Sequence, residues 1–280
     1  MSFTEDRPAQ DDVNARNIEF WNDLCGAWIA KALGINDASS DSLRKFDEWF
    51  FGHYPYLGDC VPFAEMRGRR VLEVGLGYGT VSQRLAENGA DYVGLDIAAG
   101  PVEMVNHRLR QIGHPGKALQ GSILDAPFAD ASFDCVVAIG CYHHTGDLQR
   151  ALDESYRVLR RKGLLVAMVY NAYSHRRWFQ ARQATIQYLL WDWFRIGAPP
   201  LASAGERASY DLDTGGNEAP HTDFVSRHHL RQMCRRFASF RAMLANIDQE
   251  PPFTRHSRSE LLHTKWPAWV GLDVYFHARK

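Results

Sequence analysis

The segment VLEVGLGYGT, residues 71–80, carries the most structural information in this chain of 280 residues. Its first half is mostly apolar, as in a buried strand, and glycines then recur at Gly75, Gly77 and Gly79. Glycine adopts turn conformations that other residues disfavour, and it lets the backbone lie against a ligand without a Cβ clash. The segment therefore predicts a strand, a ligand-binding glycine loop and a helix that begins directly after the loop.

An acidic residue follows at the end of the next strand-like run. Asp96 lies 17 residues beyond Gly79 and closes the run over residues 92–96. A carboxylate at this place can accept hydrogen bonds from both hydroxyls of a ribose. The glycine loop and the acid together predict a ligand that contains a nucleoside.

The charge before the loop distinguishes two classes of such a ligand. Dinucleotide sites have the spacing G-x-G-x-x-G and hold a pyrophosphate at the helix N-terminus. Here the spacing is G-x-G-x-G, and Glu73 precedes it. A carboxylate would repel a pyrophosphate, whereas it suits a ligand that carries an ammonium and a sulfonium group. The residues therefore favour S-adenosylmethionine as the cofactor.

Strand-like and helical runs alternate from Arg70 to Tyr170. Strands are predicted over Val71–Val74, Tyr92–Leu95, Ala118–Leu119, Phe133–Ile139 and Leu164–Tyr170, and helices over Thr80–Asn88, Pro101–Ile112 and 147–160. Further strands over Phe240–Ile247 and Val270–His277 bring the number of strands to seven. This alternation predicts an α/β fold with a Rossmann-like, doubly wound and mostly parallel seven-stranded sheet.

The patterns outside this core predict four segments. Residues 1–60 form an N-terminal helical cap, with helices over Asn14–Leu33 and Leu43–Phe51. Residues 61–170 form the ligand-binding core, and residues 238–280 contribute the strands that complete the sheet. The segment 171–237 interrupts the sheet and is predicted to be an inserted substrate cap: a helix His175–Phe194, a loop over 196–220 and a helix over 226–237.

Composition and charge exclude several classes of partner. Lysine and arginine number 32 against 33 acidic residues, so the formal net charge is −1 and no overall field steers the chain to nucleic acid or an anionic membrane. No apolar run approaches the roughly 20 residues of a bilayer helix, and the polar N-terminus lacks a signal-peptide core. We expect a cytoplasmic protein with no nucleic-acid or membrane partner, and a homodimer is left open.

The cysteines do not follow the spacing of a disulfide framework or a zinc site. The chain has five of them, an odd number, and no CxxC pair. They are Cys25, Cys60, Cys135, Cys141 and Cys234. Cys135 and Cys141 lie in or just after an apolar run, where cysteine usually acts as a small hydrophobic residue.

Four motifs resemble, in order and spacing, those of class I S-adenosylmethionine-dependent methyltransferases. They are VLEVGLGYGT (71–80), YVGLDIA (92–98), QGSILDAPFADASFDCVVAIGCYHHT (120–145) and ALDESYRVLRRKGLLVAMVY (151–170). The resemblance is to the branch grouped as methyltransferase domain 11, which includes ubiquinone and menaquinone biosynthesis enzymes, and it covers about Arg70 to Tyr170. It implies the fold, the cofactor and methyl transfer, but not the acceptor.

The resemblance also implies roles for individual residues toward the cofactor. Glu73 would hold the methionine amino end together with the glycine backbone, Asp96 would bind the ribose, and Ile97 would pack on the adenine. Ser122 stands where relatives usually have an aspartate that receives the adenine amino group, so this contact departs from the family pattern. The implied cofactor-binding residues are Glu73, Gly75, Gly77, Gly79, Asp96, Ile97, Ser122, Ile123 and Gly140.

A pair of histidines follows the predicted strand Phe133–Ile139, at the sheet edge where the methyl group would lie. A general base is needed only if the acceptor must lose a proton, and an imidazole is suited to that near neutral pH. His144, or less favourably His143, is therefore a candidate catalytic base. The alternative is that one histidine is a packed structural residue and the other shapes the cofactor pocket.

Aromatic residues are concentrated just before and just after the core. Such residues at helical spacing usually belong to a hydrophobic core, but these two segments can also fold over the open edge of a cofactor site. We name Tyr54, Tyr142 and Tyr170 as candidate contacts of the acceptor.

Histidine and arginine residues of the segment 221–241 admit structural and functional interpretations. His221, Asp223 and His228 or His229 could bind a metal, but nothing in their spacing defines the geometry, and we predict no metal. The arginines between residues 227 and 241 are interpreted as a solvated helix face, with an anion dock as the alternative.

The leading hypothesis is an enzyme that transfers a methyl group to an oxygen, nitrogen or carbon of a small-molecule metabolite and releases S-adenosylhomocysteine. A second hypothesis is a catalytically inactive module that binds S-adenosylmethionine or another nucleoside. The third is an NAD-dependent oxidoreductase, which the glycine spacing and Glu73 disfavour.

Overall fold

A computed structural model of the chain describes residues 9–23 and 26–280. The strands in this part of the chain are β1 (Arg70–Val74), β2 (Asp91–Asp96), β3 (Lys117–Gln120), β4 (Phe133–Ile139), β5 (Leu159–Tyr170), β6 (Ser239–Ala245) and β7 (Asp273–Arg279). The helices before β4 are α1 (Gln10–Asn22), α2 (Ala27–Ala32), α3 (Ser40–His53), α4 (Leu57–Cys60), α5 (Thr80–Glu87) and α6 (Ala99–Gln111). Those after it are α7 (Leu148–Val158), α8 (His175–Gln180), α9 (Arg182–Phe194), α10 (Ala204–Ala208), α11 (Arg227–Met233), α12 (Arg258–Leu262) and α13 (Trp266–Val270).

The strands form one seven-stranded sheet in the order β3-β2-β1-β4-β5-β7-β6. Strands β1 to β5 pair in parallel, whereas β7 runs antiparallel between β5 and β6. The predicted α/β fold with a mostly parallel, doubly wound sheet is therefore confirmed. The strand order reverses between β1 and β4, and ligands of such sheets bind in the crevice beyond the carboxyl ends of the strands at this point.

Hydrophobic cores cover both faces of the sheet. In β5, Leu165 and Ala167 belong to the core on one face, whereas Leu164 and Val166 belong to the core on the other. Alternate side chains of a strand point to opposite faces of the sheet, and both faces are buried at β5. This explains why the sequence of β5 does not alternate between polar and apolar residues.

The predicted single helix over Asn14–Leu33 is wrong as one element. Gly26 has a left-handed backbone with φ +92° and separates α1 from α2. A Cβ at this position would lie 2.8 Å from Cζ of Phe46, so α3 packs closely against the bend. Leu24 and Cys25, which the prediction included, lie outside the described residues.

A buried ion pair fastens α3 to the core. The guanidinium of Arg108 on α6 is fully buried and donates to both carboxylate oxygens of Asp47, at 2.9 and 3.0 Å. The hydroxyl of Thr80, at the start of α5, donates to the same carboxylate at 2.6 Å. The N-terminal helices are therefore held to the helix that follows the glycine loop.

The segment between β5 and β6 is anchored where it leaves the sheet. The amide of Val225 donates to the carbonyl of Tyr170 at 2.9 Å, and the amide of Ala172 donates to the carbonyl of Val225 at 3.2 Å. Residues 171–224 therefore form an excursion that starts and ends beside the carboxyl end of β5. The division of the chain at residues 60, 170 and 237 stays a prediction.

Within this excursion, the predicted helix over His175–Phe194 is two helices. Ala181 between α8 and α9 leaves the helical conformation, with φ −133° and ψ 43°. The hydroxyl of Thr185 lies 2.9 Å from the carbonyl oxygen of Ala181 and 3.1 Å from that of Arg177, and its single proton is shared between these two acceptors.

Two further boundaries differ from the sequence-based prediction. The segment 196–220, predicted as a loop, contains α10, which begins with a capping box between Ser203 and Glu206. This Ser-x-x-Glu signature is present in the sequence and is a known helix start. The predicted strand over Val270–His277 begins only at Asp273, because residues up to Val270 belong to α13.

Candidate functional site

A cleft lies at the carboxyl ends of β1, β2 and β4, where the strand order reverses. It encloses about 1110 Å³, including its open mouth. The sheet side of the cleft is the glycine loop, and side chains of the N-terminal helices, such as Trp21 of α1 and Phe50 of α3, line it as well. A cleft at this position of a doubly wound sheet is where nucleotide-containing ligands bind.

The glycine loop has the backbone that its sequence predicts. Gly75, Gly77 and Gly79 have φ values of +77°, +50° and +79°, in the left-handed region that favours glycine. At Gly75 the neighbouring loop after β4 comes so close that a Cβ would lie 2.4 Å from Cβ of Cys141. The close approach of the two loops therefore requires a residue without a side chain at position 75.

Glu73 is buried at the start of this loop, with 3 % of its surface exposed. The hydroxyls of Ser82 and Tyr92 both donate to its Oε2 atom, at 2.5 and 2.6 Å. Burial raises the pKa of the carboxyl to about 7, although the two hydrogen bonds oppose this shift. The carboxyl is therefore only partly ionised near neutral pH, and a cationic ligand in the cleft would favour its ionised form.

Asp96 ends β2 on the wall of the same cleft and is 7 % exposed. Its Oδ2 accepts a hydrogen bond from the amide of Leu76 at 2.7 Å, and its Oδ1 accepts one from the amide of Ala98 at 2.9 Å. Burial raises the pKa of this carboxyl to about 6, and the backbone hydrogen bonds oppose the rise. Because each carboxylate oxygen has two lone pairs, both can still accept a hydroxyl.

Ser122, which departs from the family pattern, also lines the cleft. Its hydroxyl oxygen accepts a hydrogen bond from the amide of Leu124 at 3.1 Å and caps the short turn Ile123–Asp125. The hydroxyl proton is left for donation to a ligand atom. Ser122 thus serves the local turn as well as the pocket, a double use that the sequence does not reveal.

The cleft brings together most of the residues named from the sequence. Those that line it are Glu73, Gly75, Gly77, Asp96, Ile97, Ser122, Ile123, Gly140 and His144. Those that do not line it are Gly79, His143, Tyr54, Tyr142 and Tyr170. Gly79 packs against Arg108 instead, whose Cδ would lie 2.8 Å from a Cβ at the glycine.

The structure contradicts the prediction that Tyr142 contacts the acceptor. Its ring is fully buried in the core, and its hydroxyl lies 2.5 Å from Oγ of Ser155 on α7. Tyr142 belongs to the hydrophobic core on one face of the sheet. Tyr54 does not line the cleft either: its ring packs against Phe50 and Tyr56, with centroids 5.0 and 6.2 Å away, and its contact with the acceptor stays a prediction.

His144 lines the cleft, but its nitrogens point into the protein. Nδ1 lies 2.7 Å from the carbonyl oxygen of His221 and must carry the proton, because a carbonyl only accepts. Nε2 is buried and lies 3.5 Å from Oδ2 of Asp211. Burial lowers the pKa of the imidazole, and the nearby Asp211 opposes this change. The geometry favours the structural interpretation over a base that touches the acceptor directly.

His143 is a packed core residue in this arrangement. Its ring lies between those of His144 and Tyr170, with both centroids 4.1 Å away. Neither ring nitrogen has a hydrogen-bond partner among residues 9–23 and 26–280, and burial holds its pKa well below the usual range. A neutral imidazole without access to the cleft does not act as a base there.

Sequence reasoning missed three residues around His144. The hydroxyl of Tyr170 donates to the carboxylate of Asp211, at 3.0 Å from each oxygen, and this carboxylate faces His144. From α1, Asn17 donates to the carbonyl of His144 at 2.8 Å, and the ring of Trp21 lies 4.8 Å from the imidazole. No motif marks Asp211, Asn17 or Trp21, because their positions depend on how distant segments fold onto the sheet edge.

The histidines of the inserted segment form separate pairs. His221 lies 3.2 Å from Asp223, and His228 lies 2.9 Å from Asp192. In the part of the chain that the structure describes, no three His, Cys, Asp or Glu side chains are grouped so that they could hold a metal ion. Likewise, no helix within the described ranges is both long and apolar enough to span a membrane.

Comparisons with known proteins agree with this geometry. Residues 72–167 match a family described as "Methyltransferase domain". A demethylmenaquinone methyltransferase of Tropheryma whipplei is 30 % identical over 122 residues, which are 44 % of this chain and 49 % of the relative. A ubiquinone biosynthesis O-methyltransferase of Azorhizobium caulinodans is 28 % identical over 143 residues, which are 51 % of this chain and 54 % of the relative. The chain thus spans about half the length of these curated relatives.

Solved structures extend the likeness to the fold of nearly the whole chain. The YcgJ protein of Bacillus subtilis has a TM-score of 0.55 at 18 % identity and covers 81 % of this chain and 99 % of its own. A possible histamine N-methyltransferase of Thermotoga maritima has a TM-score of 0.53 at 19 % identity. The match covers 85 % of this chain and 95 % of the Thermotoga chain. At these identities the likeness concerns the fold alone.

Residues 72–167 therefore match a methyltransferase domain family, and the chain has the same Rossmann-like fold as solved S-adenosylmethionine-dependent methyltransferases. The curated relatives that the chain is similar to include quinone-biosynthesis methyltransferases, in agreement with the resemblance of the motifs in residues 71–170.

Proposed function

We propose that this protein is an enzyme that transfers a methyl group from S-adenosylmethionine to an oxygen, nitrogen or carbon of a small molecule, with S-adenosylhomocysteine as the second product. The observation that carries the proposal is the pair of buried acids, Glu73 and Asp96, on the wall of one cleft bordered by the glycine loop. One acid suits the cationic end of this cofactor and the other suits its ribose.

The same observation opposes the two other hypotheses. A pyrophosphate at the glycine loop would meet the buried carboxyl of Glu73, which is unfavourable for a dinucleotide. An inactive module would be free to lose the glycines or the ribose acid, yet Gly75, Gly77 and Asp96 all remain and line the cleft.

The cofactor, when bound, supplies a methyl group on a positively charged sulfur. The protein then has to align the acceptor with that methyl group and exclude water. Glu73 and the glycine backbone would hold the amino end, and Asp96 would hold the ribose. Trp21 and Phe50 would cover the cleft from the side of the N-terminal helices, as their place in its lining suggests.

The direct test is calorimetric titration of the purified protein with S-adenosylmethionine and S-adenosylhomocysteine, after any co-purified ligand has been removed. We expect one site per chain with a dissociation constant on the order of micromolar. A folded protein that binds neither compound would sink the methyltransferase proposal. Binding would justify a screen of phenols, quinols, amines and small acids as acceptors.

Replacing Asp96 with asparagine is expected to weaken the binding of S-adenosylhomocysteine by at least about tenfold. The amide keeps the size of the side chain, but it offers one acceptor oxygen instead of two and has no charge. Asp125→Asn is the matched control, because Asp125 is exposed nearby and does not line the cleft. Unchanged affinity in Asp96→Asn would exclude the ribose-binding role.

Affinity for S-adenosylmethionine is expected to rise about fourfold between about pH 6.5 and pH 8. Burial raises the pKa of Glu73 to about 7, so the carboxyl ionises over this range, and its ionised form attracts the cationic cofactor. Calorimetry in buffers of different ionisation enthalpy should also detect proton release on binding near pH 7. In Glu73→Gln most of the dependence should disappear, with a smaller part left at the acid end because the pKa of Asp96 is raised to about 6. An affinity that falls with pH in the wild type would contradict the role.

A further inference from the structure

A second, smaller cavity lies beside the cofactor cleft. It encloses about 390 Å³ including its mouth, between the end of α1, the start of α2 and residues 210–214 of the inserted segment. The amide of Thr214 donates to the carboxylate of Asp23 at 2.7 Å and joins the two walls. The cavity is therefore formed by the N-terminal helices and the insertion together.

The lining of this cavity combines negative charge with aromatic surface. Asp23, Asp211 and Asp213 are among the residues that line it, and no lysine, arginine or histidine does among the described residues. Asp213 accepts two hydrogen bonds from Asn217, and Asp23 accepts one from the amide of Thr214. Its aromatic side chains are Phe20, Trp21, Trp28 and Tyr210. Carboxylates together with aromatic faces are the usual environment of an organic cation, because both attract positive charge.

The cavity adjoins the cofactor cleft through two shared elements. Trp21 lines both the cavity and the cleft. Asp211 of the cavity lies 3.5 Å from Nε2 of His144, which lines the cleft. A ligand in the cavity would thus lie one side chain away from the space assigned to the cofactor.

The polar groups at this junction are incompletely satisfied. Nε2 of His144 is buried, and its contact with Asp211 at 3.5 Å is at the outer limit of a hydrogen bond. Since Nδ1 carries the ring proton of the neutral imidazole, Nε2 and the carboxylate present lone pairs to each other unless a proton lies between them. A positive charge near Asp211 would stabilise its ionised form at this junction.

Other charged groups near Asp211 are already engaged. Arg176 lies over the ring of Tyr210, with its guanidinium carbon 4.5 Å from the centroid, but it is paired with Asp248 and Glu250. The hydroxyl of Tyr170 donates to Asp211 without bringing a charge. Asp211 thus lines the cavity, and the partners of its carboxylate among the described residues, the Tyr170 hydroxyl and the His144 imidazole, bring no fixed positive charge.

We infer that this second cavity binds the positively charged amino group of the acceptor, with Asp211 as its carboxylate partner and Trp21 as the wall shared with the cofactor cleft. That this ligand is the methyl acceptor rests on the proposed function, whereas the binding of a cation in this cavity does not. The inference concerns recognition of an ammonium group, and the atom that receives the methyl group can be a different one.

The test is calorimetric titration with an arylethylamine, tyramine, in the presence of saturating S-adenosylhomocysteine. The alcohol that replaces the amino group, 2-(4-hydroxyphenyl)ethanol, and the anion 4-hydroxyphenylacetate are the matched ligands. We expect tyramine to bind at least about tenfold more tightly than either. Equal or weaker binding of the amine would overturn the inference.

Variants locate the site. Asp211→Asn should remove the preference for the amine and leave the affinity for S-adenosylhomocysteine unchanged, while Asp41→Asn, on the exposed start of α3, should change neither. Asp23→Asn, on the opposite wall of the cavity, should lower the affinity for the amine severalfold. This variant tests the site independently if Asp211→Asn is unstable. If Asp211→Asn and Asp23→Asn both still bind the amine more tightly than the alcohol, the ammonium group binds elsewhere on the protein.

The outcomes also separate this inference from the proposed function. Binding of S-adenosylhomocysteine without any preference for the amine would overturn the cation site and leave methyl transfer intact. Preference for the amine that depends on Asp211, in a protein that binds no S-adenosylhomocysteine, would support the cation site while the methyltransferase proposal fails.

Discussion

Replacing Asp47 with alanine is expected to lower the free energy of unfolding by about 3 to 5 kcal/mol. The guanidinium of Arg108 is fully buried and donates to both oxygens of this carboxylate. Without Asp47 a positive charge stays in the interior, with the side-chain oxygen of Gln83 as a neutral partner at 2.8 Å. Urea denaturation, followed by circular dichroism, measures the change.

Two comparisons test the origin of this loss. Asp41 lies on the same helix and pairs with Arg44 in a fully exposed contact, so Asp41→Ala should cost about 1 kcal/mol or less. The double variant Asp47→Ala with Arg108→Met removes the buried charge and should recover at least half of the lost stability. If the double variant is no more stable than Asp47→Ala, the stranded charge is not the cause.

Replacing Gly75 with alanine is expected to cost about 2 to 5 kcal/mol of stability, because two penalties add. The residue has φ +77°, where a side chain is strained, and the new Cβ would lie 2.4 Å from Cβ of Cys141. The contacted atom is attached directly to the backbone, so the loop after β4 would have to shift. Binding of S-adenosylhomocysteine should weaken in parallel, since both loops line the cleft.

Gly68→Ala is the matched control for this variant. Gly68 has nearly the same backbone, with φ +67°, but nothing lies within 4 Å of a Cβ built there. Its substitution should therefore show the backbone penalty alone, about 1 to 2 kcal/mol. Equal losses at the two positions would mean that the close approach of Cys141 contributes nothing.

The cofactor side of the site could be predicted from the sequence because its signals are local. Glycines at alternate positions, an acid before them and an acid at the end of the next strand all follow from chain geometry within residues 71–96. The alternation of strands and helices also restricts the sheet to few topologies, since right-handed crossovers dominate. Helix breaks at Gly26 and Ala181 were missed, because close packing and side-chain hydrogen bonds at these points outweighed the helical spacing.

The acceptor side depended on contacts between segments that are distant in the sequence. Tyr142 and His144 are two residues apart, yet one points into the core and the other lines the cleft, and this difference arises from the short turn that carries them. Asp211 meets His144 across 67 positions of the chain because the inserted segment folds back over the end of β5. No local pattern encodes such a contact: the sequence alone determined the fold class and the cofactor loop, whereas tertiary packing determined which side chains surround the second cavity.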